Sequence, residues 1–89
     1  SVPPAEAFAR AERAANALGW TIVATAAVEG RLEATDTTPL FGFKDDIVVR
    51  VTPATDGGSI VDVRSLSRVG GSDFGTNAKR VRAFLRRME

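Results

Sequence analysis

The sequence contains no cysteine and no histidine, and these two absences exclude several classes of chemistry. Without cysteine there is no disulfide framework, no thiol nucleophile and no thiolate metal site. Without histidine the chain lacks the most frequent general base, the serine–histidine–aspartate arrangement and most transition-metal sites. No hydrophobic run approaches the ~20 apolar residues that a bilayer-spanning helix needs. From the sequence we therefore assign no catalytic residue, no metal site and no cofactor.

An excess of charge of one sign is also lacking. The 12 basic residues and 11 acidic residues leave a net charge of +1, which gives no general reason to expect nucleic acid as a partner. A length of 89 residues and a hydrophobic fraction of 44% are ordinary for one small globular domain. We therefore expect residues 1–89 to form a single compact domain. Because the chain begins at Ser1 rather than methionine, we expect it to be a piece cut from a longer protein.

The chain does contain the hydrophobic periodicities of a helix, four strands and a second helix. Pro3 and Pro4 open a first helix that ends at Gly19. Its apolar stripe is formed by Phe8, Ala11, Ala15 and Leu18. A last helix runs from about Asp73 to Met88, with apolar side chains at steps of three and four. Alternating side chains predict four strands between them, over residues 20–28, 31–38, 46–52 and 59–68. The predicted fold is α+β, a four-stranded antiparallel meander sheet with the N- and C-terminal helices packed on one face (α-β-β-β-β-α).

Two turns set the pairing of the predicted strands. Gly30 and Gly57 each stand third in a three-residue turn, where a positive φ is expected. The second turn places Arg50 opposite Asp62, which is a favourable pair of opposite charges. A register shifted by two residues would instead place Arg50 opposite Arg64, and like charges there are destabilising. The sequence therefore predicts the first of these registers.

A polar corner is predicted where the third strand begins, the fourth strand ends and the last helix starts. The predicted register gives Asp46 two diagonal neighbours, Arg64 and Arg68. Ser72 or Asp73 can cap the helix that follows. On one interpretation the charges form an ion pair that holds the end of the sheet; on the other, the arginines bind a carboxylate or phosphate. The candidate ligand-binding residues are Asp46, Arg64, Arg68, Ser72, Asp73 and Asn77.

Two further surfaces are candidates for contact with a partner or a lipid. Phe41 and Phe43 flank Gly42 in a connection too apolar for an ordinary solvated loop, so they either close the core or form an exposed lip. The last helix carries basic side chains that are either simply solvated or rest on an anionic membrane. No aromatic residues interleave with its arginines, so we expect no nucleic-acid binding. The basic residues are Lys79, Arg80, Arg82, Arg86 and Arg87.

Several blocks of the sequence resemble a known family. They are Leu40–Val51, Val61–Ser65, Ser67–Gly70, Ser72-Asp73, Gly75 and Asn77, and they are similar to domain-of-unknown-function family 1499. The resemblance covers most of the chain. It implies a bacterial or plastid-associated protein whose relatives often carry a membrane segment or a lipoprotein-type signal ahead of this domain. It therefore implies a location in the bacterial cell envelope, periplasmic or near a membrane through residues outside this sequence. Some members have an upstream cysteine motif that this chain lacks, and the family implies no established activity.

Two functional hypotheses remain open. The favoured one is a non-catalytic cell-envelope module that binds a partner or a small anionic ligand through the corner around Asp46, Arg64, Arg68 and Ser72. The alternative is an enzyme that uses Asp46 or Asp73 as acid or base beside the two arginines. The missing histidine and cysteine count against the enzyme. An open pocket at the corner would favour a site, whereas a closed and mutually satisfied cluster would favour a structural role.

Overall fold

A computed structural model describes residues 2–37, 42, 44–67 and 74–88. Its elements follow the predicted order of helix, four strands and helix, so the fold is α+β. The elements are α1 (Pro4–Ala17), β1 (Thr21–Ala26), a short 3-10 helix (Ala27–Glu29), β2 (Arg31–Thr37), β3 (Lys44–Pro53), β4 (Ser59–Ser67) and α2 (Phe74–Met88). None of the helices in this part of the chain is long and apolar enough to cross a membrane.

Helix α1 begins at a proline and presents small side chains to the sheet. Pro4 occupies its first turn, where the missing amide costs no hydrogen bond. Gly19, at φ +80°, ends the helical segment as predicted. The buried residues of α1 follow the predicted apolar stripe, and they are Ala7, Phe8, Ala11, Ala14 and Ala15. Because four of these five are alanines, the helix backbone can lie close to the strands.

The four strands form one antiparallel sheet in the order β1-β2-β3-β4, which is the predicted meander. The second hairpin has the predicted register, with Arg50 opposite Asp62. Its turn has Gly57 at φ +84°, as predicted. The Gly58 N–H donates to Asp56 Oδ1 at 2.9 Å, so the aspartate side chain closes the turn. A closed turn of defined length fixes the pairing of every residue beyond it.

The first hairpin differs from the prediction. Strand β1 ends at Ala26 rather than Val28, and the 3-10 helix that follows leaves Val28 fully exposed. A β-bulge lies between Ile22 and Ala24. Because a bulge adds one residue to a strand whose side chains alternate, the later side chains change face. Ala24 is consequently exposed, although simple alternation predicts it inward with Ile22.

Gly30 is the position in this hairpin where the backbone tolerates no side chain. Its φ is +69°, as predicted, and its carbonyl accepts a 2.7 Å hydrogen bond from the Val51 N–H. A Cβ built on Gly30 would overlap the Val51 carbonyl oxygen. The close approach ties the first turn to β3, a strand that lies outside its own hairpin.

Both helices pack on one face of the sheet and enclose the core. Helix α1 packs on β1, β3 and β4, helix α2 packs on β4, and the two helices contact each other. Trp20 stacks on Phe84 with ring centroids 5.1 Å apart, which joins the segment after α1 to α2. The largest fully buried side chains are Leu32, Ile47, Val49 and Phe84. Among the described residues, no helix covers the opposite face of the sheet.

Candidate functional site

Polar side chains gather on both faces of the sheet, in two separate groups. Because neighbouring residues of a strand point to opposite faces, Asp45 and Asp46 fall into different groups. The helix-covered face carries the Arg80 network, made of Asp36, Asp45, Ser65, Ser67, Asn77 and Arg80. The other face carries the outer depression, lined chiefly by Asp46, Val48, Arg50, Asp62, Arg64 and Leu66.

The strand register brings two aspartates together beneath α2. Asp36 of β2 lies opposite Asp45 of β3, and Asp45 lies opposite Ser67 of β4. Like charges directly opposite each other destabilise an antiparallel pair. Asp45 is only 4% exposed, so its charge needs a partner within the protein. Within the described part of the chain, no group of three or more histidine, cysteine or acidic side chains is placed to hold a metal ion.

Arg80 of α2 is the partner of both aspartates. Its Nη2 lies 2.7 Å from Asp45 Oδ2, and its Nε lies 3.0 Å from Asp36 Oδ2. Its Nη1 donates to Ser65 Oγ at 3.0 Å and to Asn77 Oδ1 at 2.8 Å. The Arg80 side chain is 7% exposed. A planar guanidinium can reach these separate acceptors at once, whereas the single ammonium of a lysine could not.

Asn77, nearly one helical turn before Arg80, completes the network. Its Nδ2 donates to Ser67 Oγ at 3.2 Å, and its Oδ1 accepts a hydrogen bond from Ser65 Oγ. Every buried side-chain nitrogen and oxygen in the described part of the chain has a hydrogen-bond partner. Because these buried groups are already paired with one another, the network fixes α2 on the end of the sheet. The geometry therefore indicates a structural role.

The outer depression crosses β3 and β4 on the face without a described helix. Its lining forms three cross-strand pairs: Arg50 opposite Asp62, Val48 opposite Arg64, and Asp46 opposite Leu66. Two acidic and two basic side chains are thus interleaved, and their formal charges cancel. Leu66 is 69% exposed and adds an apolar group. Balanced charges with an exposed apolar group suit a polypeptide better than an isolated anion, which is attracted by net positive charge.

Comparison with known proteins assigns a family. The family described as "Protein of unknown function (DUF1499)" matches residues 1–88, which include both helices and all four strands. The chain belongs to DUF1499. A search among curated proteins finds no match to it. The resemblance noted in the sequence is confirmed, and the match to DUF1499 spans the complete α-β-β-β-β-α fold.

Two residues of the predicted corner of this DUF1499 domain lie together. Asp46 and Arg64 both line the outer depression, and Asp46 lies opposite Leu66, which makes Arg64 its diagonal neighbour as predicted. Asn77 is on the other face of the sheet, in the Arg80 network, because α2 packs on the face that points away from Asp46. Five of the predicted site residues lie outside the described part of the chain: Phe41, Phe43, Arg68, Ser72 and Asp73.

The structure separates Arg80 from the other basic residues of the DUF1499 helix α2. Arg80 is 9% exposed and lies on the buried face of the helix, between Asn77 and Phe84 at steps of three and four. It is therefore not part of a surface that a membrane could reach. The remaining basic residues are exposed, and they are Lys79, Arg82, Arg86 and Arg87.

The acidic members of the Arg80 network were not identified from the sequence, although a signal for them exists. Asp36 has the same strand parity as the inward residues Leu32 and Ala34, and Asp45 has the parity of Ile47. A charged side chain at an inward position implies a buried partner. Nothing local identifies that partner, because Arg80 lies 44 residues along the chain from Asp36.

Proposed function

We propose that this domain is a non-catalytic binding module of the bacterial cell envelope, and that the outer depression binds a partner protein. The observation that carries the proposal is the contrast between the two faces of the sheet. Both helices pack on one face, whereas β3 and β4 present exposed charged and apolar side chains on the other. Apolar groups exposed among charged ones are typical of surfaces that bind proteins. For the envelope location we rely on the resemblance to DUF1499, which implies relatives with a membrane segment or a lipoprotein-type signal ahead of this domain.

The chemistry of the lining narrows the class of partner. Arg50 and Arg64 can each hold a carboxylate, while Asp46 and Asp62 repel one. A small anion therefore meets opposing charges across the depression. An extended polypeptide with alternating acidic and basic side chains can place each of its charges next to an opposite charge of the depression. An apolar side chain of the same polypeptide can contact Leu66. We therefore favour a partner protein over a small anionic ligand.

The enzymatic alternative would use Asp46 or Asp73 as acid or base beside Arg64 and Arg68. Asp46 and Arg64 do share the outer depression, but the chain has no histidine or cysteine to act with them. Acid–base catalysis by a carboxylate is most effective in a cleft that excludes water. Arg50, Asp62 and Arg64 of the depression are all exposed, so water reaches these groups. Binding is therefore the function that this surface supports best.

Site-specific photo-crosslinking in the cells that produce the protein tests the proposal. A photoreactive amino acid at Val48, in the centre of the outer depression, is compared with one at Arg13, an exposed position on α1. We expect a covalent adduct with another polypeptide from Val48 and none from Arg13. Arg50→Asp reverses one charge in the depression, so we expect it to reduce the yield of the Val48 adduct.

Equal adduct yields at the two positions would contradict the proposal. So would a Val48 adduct that consists only of two copies of this chain. Thermal unfolding in inorganic phosphate tests the small-anion alternative, because a ligand that binds the native state raises the midpoint. A rise that Arg64→Ala abolishes would assign an anionic ligand instead. Cell fractionation tests the proposed location. We expect the protein in the envelope fraction, and finding it in the cytoplasmic fraction alone would refute the envelope location.

A further inference from the structure

The free edge of β4 is suited to pairing with another strand. β4 has 9 residues and ends the sheet, and in the described part of the chain only β3 pairs with it. The strand at the other edge, β1, has 6 residues and is interrupted by a bulge between Ile22 and Ala24. Short, bulged edges resist pairing, whereas a long regular edge presents unpaired amides and carbonyls to a second strand.

The outward side chains of β4 have a self-complementary order. Along the strand they are Ile60, Asp62, Arg64 and Leu66: apolar, acidic, basic and apolar. When two copies of β4 pair antiparallel around a two-fold axis at Val63, Asp62 of each copy faces Arg64 of the other. Ile60 then faces Leu66, and these side chains are 53% and 69% exposed in the single chain. All the outward pairs formed by these residues are favourable.

The neighbouring registers lack this match. An axis at Asp62 would set that aspartate against its own copy, and an axis at Arg64 would do the same to the arginine. If the pairing of the two strands shifts by one residue, outward side chains of one copy lie opposite inward side chains of the other. We propose that the protein forms a two-fold dimer in which β4 pairs with β4 around Val63. The two four-stranded sheets then form one continuous sheet, with both outer depressions on the same face.

The helix layer fits this dimer. Helix α2 packs on β4, and its flank with Ala83 and Arg87 lines clefts shared with α1 and the segment that follows it. By the helical period the opposite flank carries Ala78, Val81 and Leu85, so this flank lies towards the free edge of β4. Leu85 is 41% exposed. In the dimer the two apolar flanks face each other above the paired strands, which removes apolar surface from water.

Sedimentation equilibrium of the purified protein, from micromolar to millimolar concentration, tests the dimer. We expect the wild-type mass to be that of two chains. Arg64→Asp makes both central outward residues acidic, and Asp62→Arg makes both basic, so each variant should dimerise roughly tenfold more weakly or worse. An equimolar mixture of the two variants restores both opposite-charge pairs in a heterodimer. We therefore expect mixing to recover the dimer mass, and Arg31→Asp on β2, the matched control, to leave the dimer intact.

A wild-type protein that stays monomeric at millimolar concentration would overturn the proposal. Asp62 and Arg64 would then be charges that prevent the edge of β4 from pairing with another strand. Charge variants that dimerise like the wild type would place the contact elsewhere and also overturn it. A mixture that stays monomeric would overturn the register. These measurements need no partner protein, so their failure is distinguishable from a failure of crosslinking at Val48.

A charge reversal in β4 could unfold the chain, and circular dichroism would reveal this. A variant outside β4 then still tests the dimer. Leu85→Lys leaves β4 unchanged and places a charge on the helix flank that faces the second copy. We expect it to weaken the dimer at unchanged circular dichroism. An unchanged dimer would overturn the contact between the two helices and with it the proposed arrangement.

Discussion

Arg80→Met removes the guanidinium that lies between Asp36 and Asp45 and keeps an extended side chain in its place. The Asp45 side chain is 6% exposed, so its carboxylate would stay buried without its cation, opposite the like charge of Asp36. Removing one partner of a buried ion pair costs about 3–5 kcal/mol. Small domains are stable by roughly 5–15 kcal/mol. We therefore expect Arg80→Met to remove a large share of the free energy of unfolding.

Urea unfolding followed by Trp20 fluorescence measures this loss, because the indole stacks on Phe84 in the folded state. Arg82→Met is the matched control: it is exposed on the same helix and should change the free energy of unfolding by less than about 0.5 kcal/mol. Arg80→Lys keeps the positive charge but lacks the planar guanidinium, so we expect a loss in the free energy of unfolding between those of the other two variants.

Asp45→Asn supplies the second half of a double-mutant cycle. If the buried charges interact, Arg80→Met together with Asp45→Asn costs less than the sum of the two single substitutions. The exposed pair of Glu6 and Arg10, with side chains 49% and 37% exposed, is the reference for a weak interaction, worth under about 1 kcal/mol. A loss of that size for Arg80→Met, or additive effects in the cycle, would refute the reasoning.

Two further predictions concern the first hairpin and the surface of α2. Gly30→Ala should lower the thermal midpoint more than Gly57→Ala, because its Cβ would overlap the Val51 carbonyl, whereas nothing lies within 4 Å of a Cβ at Gly57. Gly57→Ala should cost only about 1 kcal/mol for its positive φ, and equal midpoints would contradict this account. If the exposed basic face of α2 contacts a membrane rather than being simply solvated, anionic liposomes should retain the protein at low salt and release it as salt screens exposed charges over ~8 Å. Retention equal to that on neutral liposomes would exclude membrane contact through the exposed basic residues Lys79, Arg82, Arg86 and Arg87.

By itself the sequence determined the order of the elements, the family and the register of the second hairpin. These depend on short-range features: periodicity within an element, the length of one turn, and the charges of Arg50 and Asp62 across it. The bulge in β1 was not predictable in the same way. Residues 21–26 are threonine, alanine, isoleucine and valine on both faces, so alternation offers no polar contrast that would reveal a change of face.

Only the tertiary structure decided which polar residues meet. In the sequence Arg80 is one of several basic residues on an amphipathic helix, and periodicity does not say what lies beneath each turn. Trp20 and Phe84 dock α2 within the core, and that docking places Arg80 over Asp36 and Asp45 while leaving Asp46 on the opposite face. The physical reason is that apolar burial positions a helix on a sheet, and the polar contacts between distant elements follow from that position.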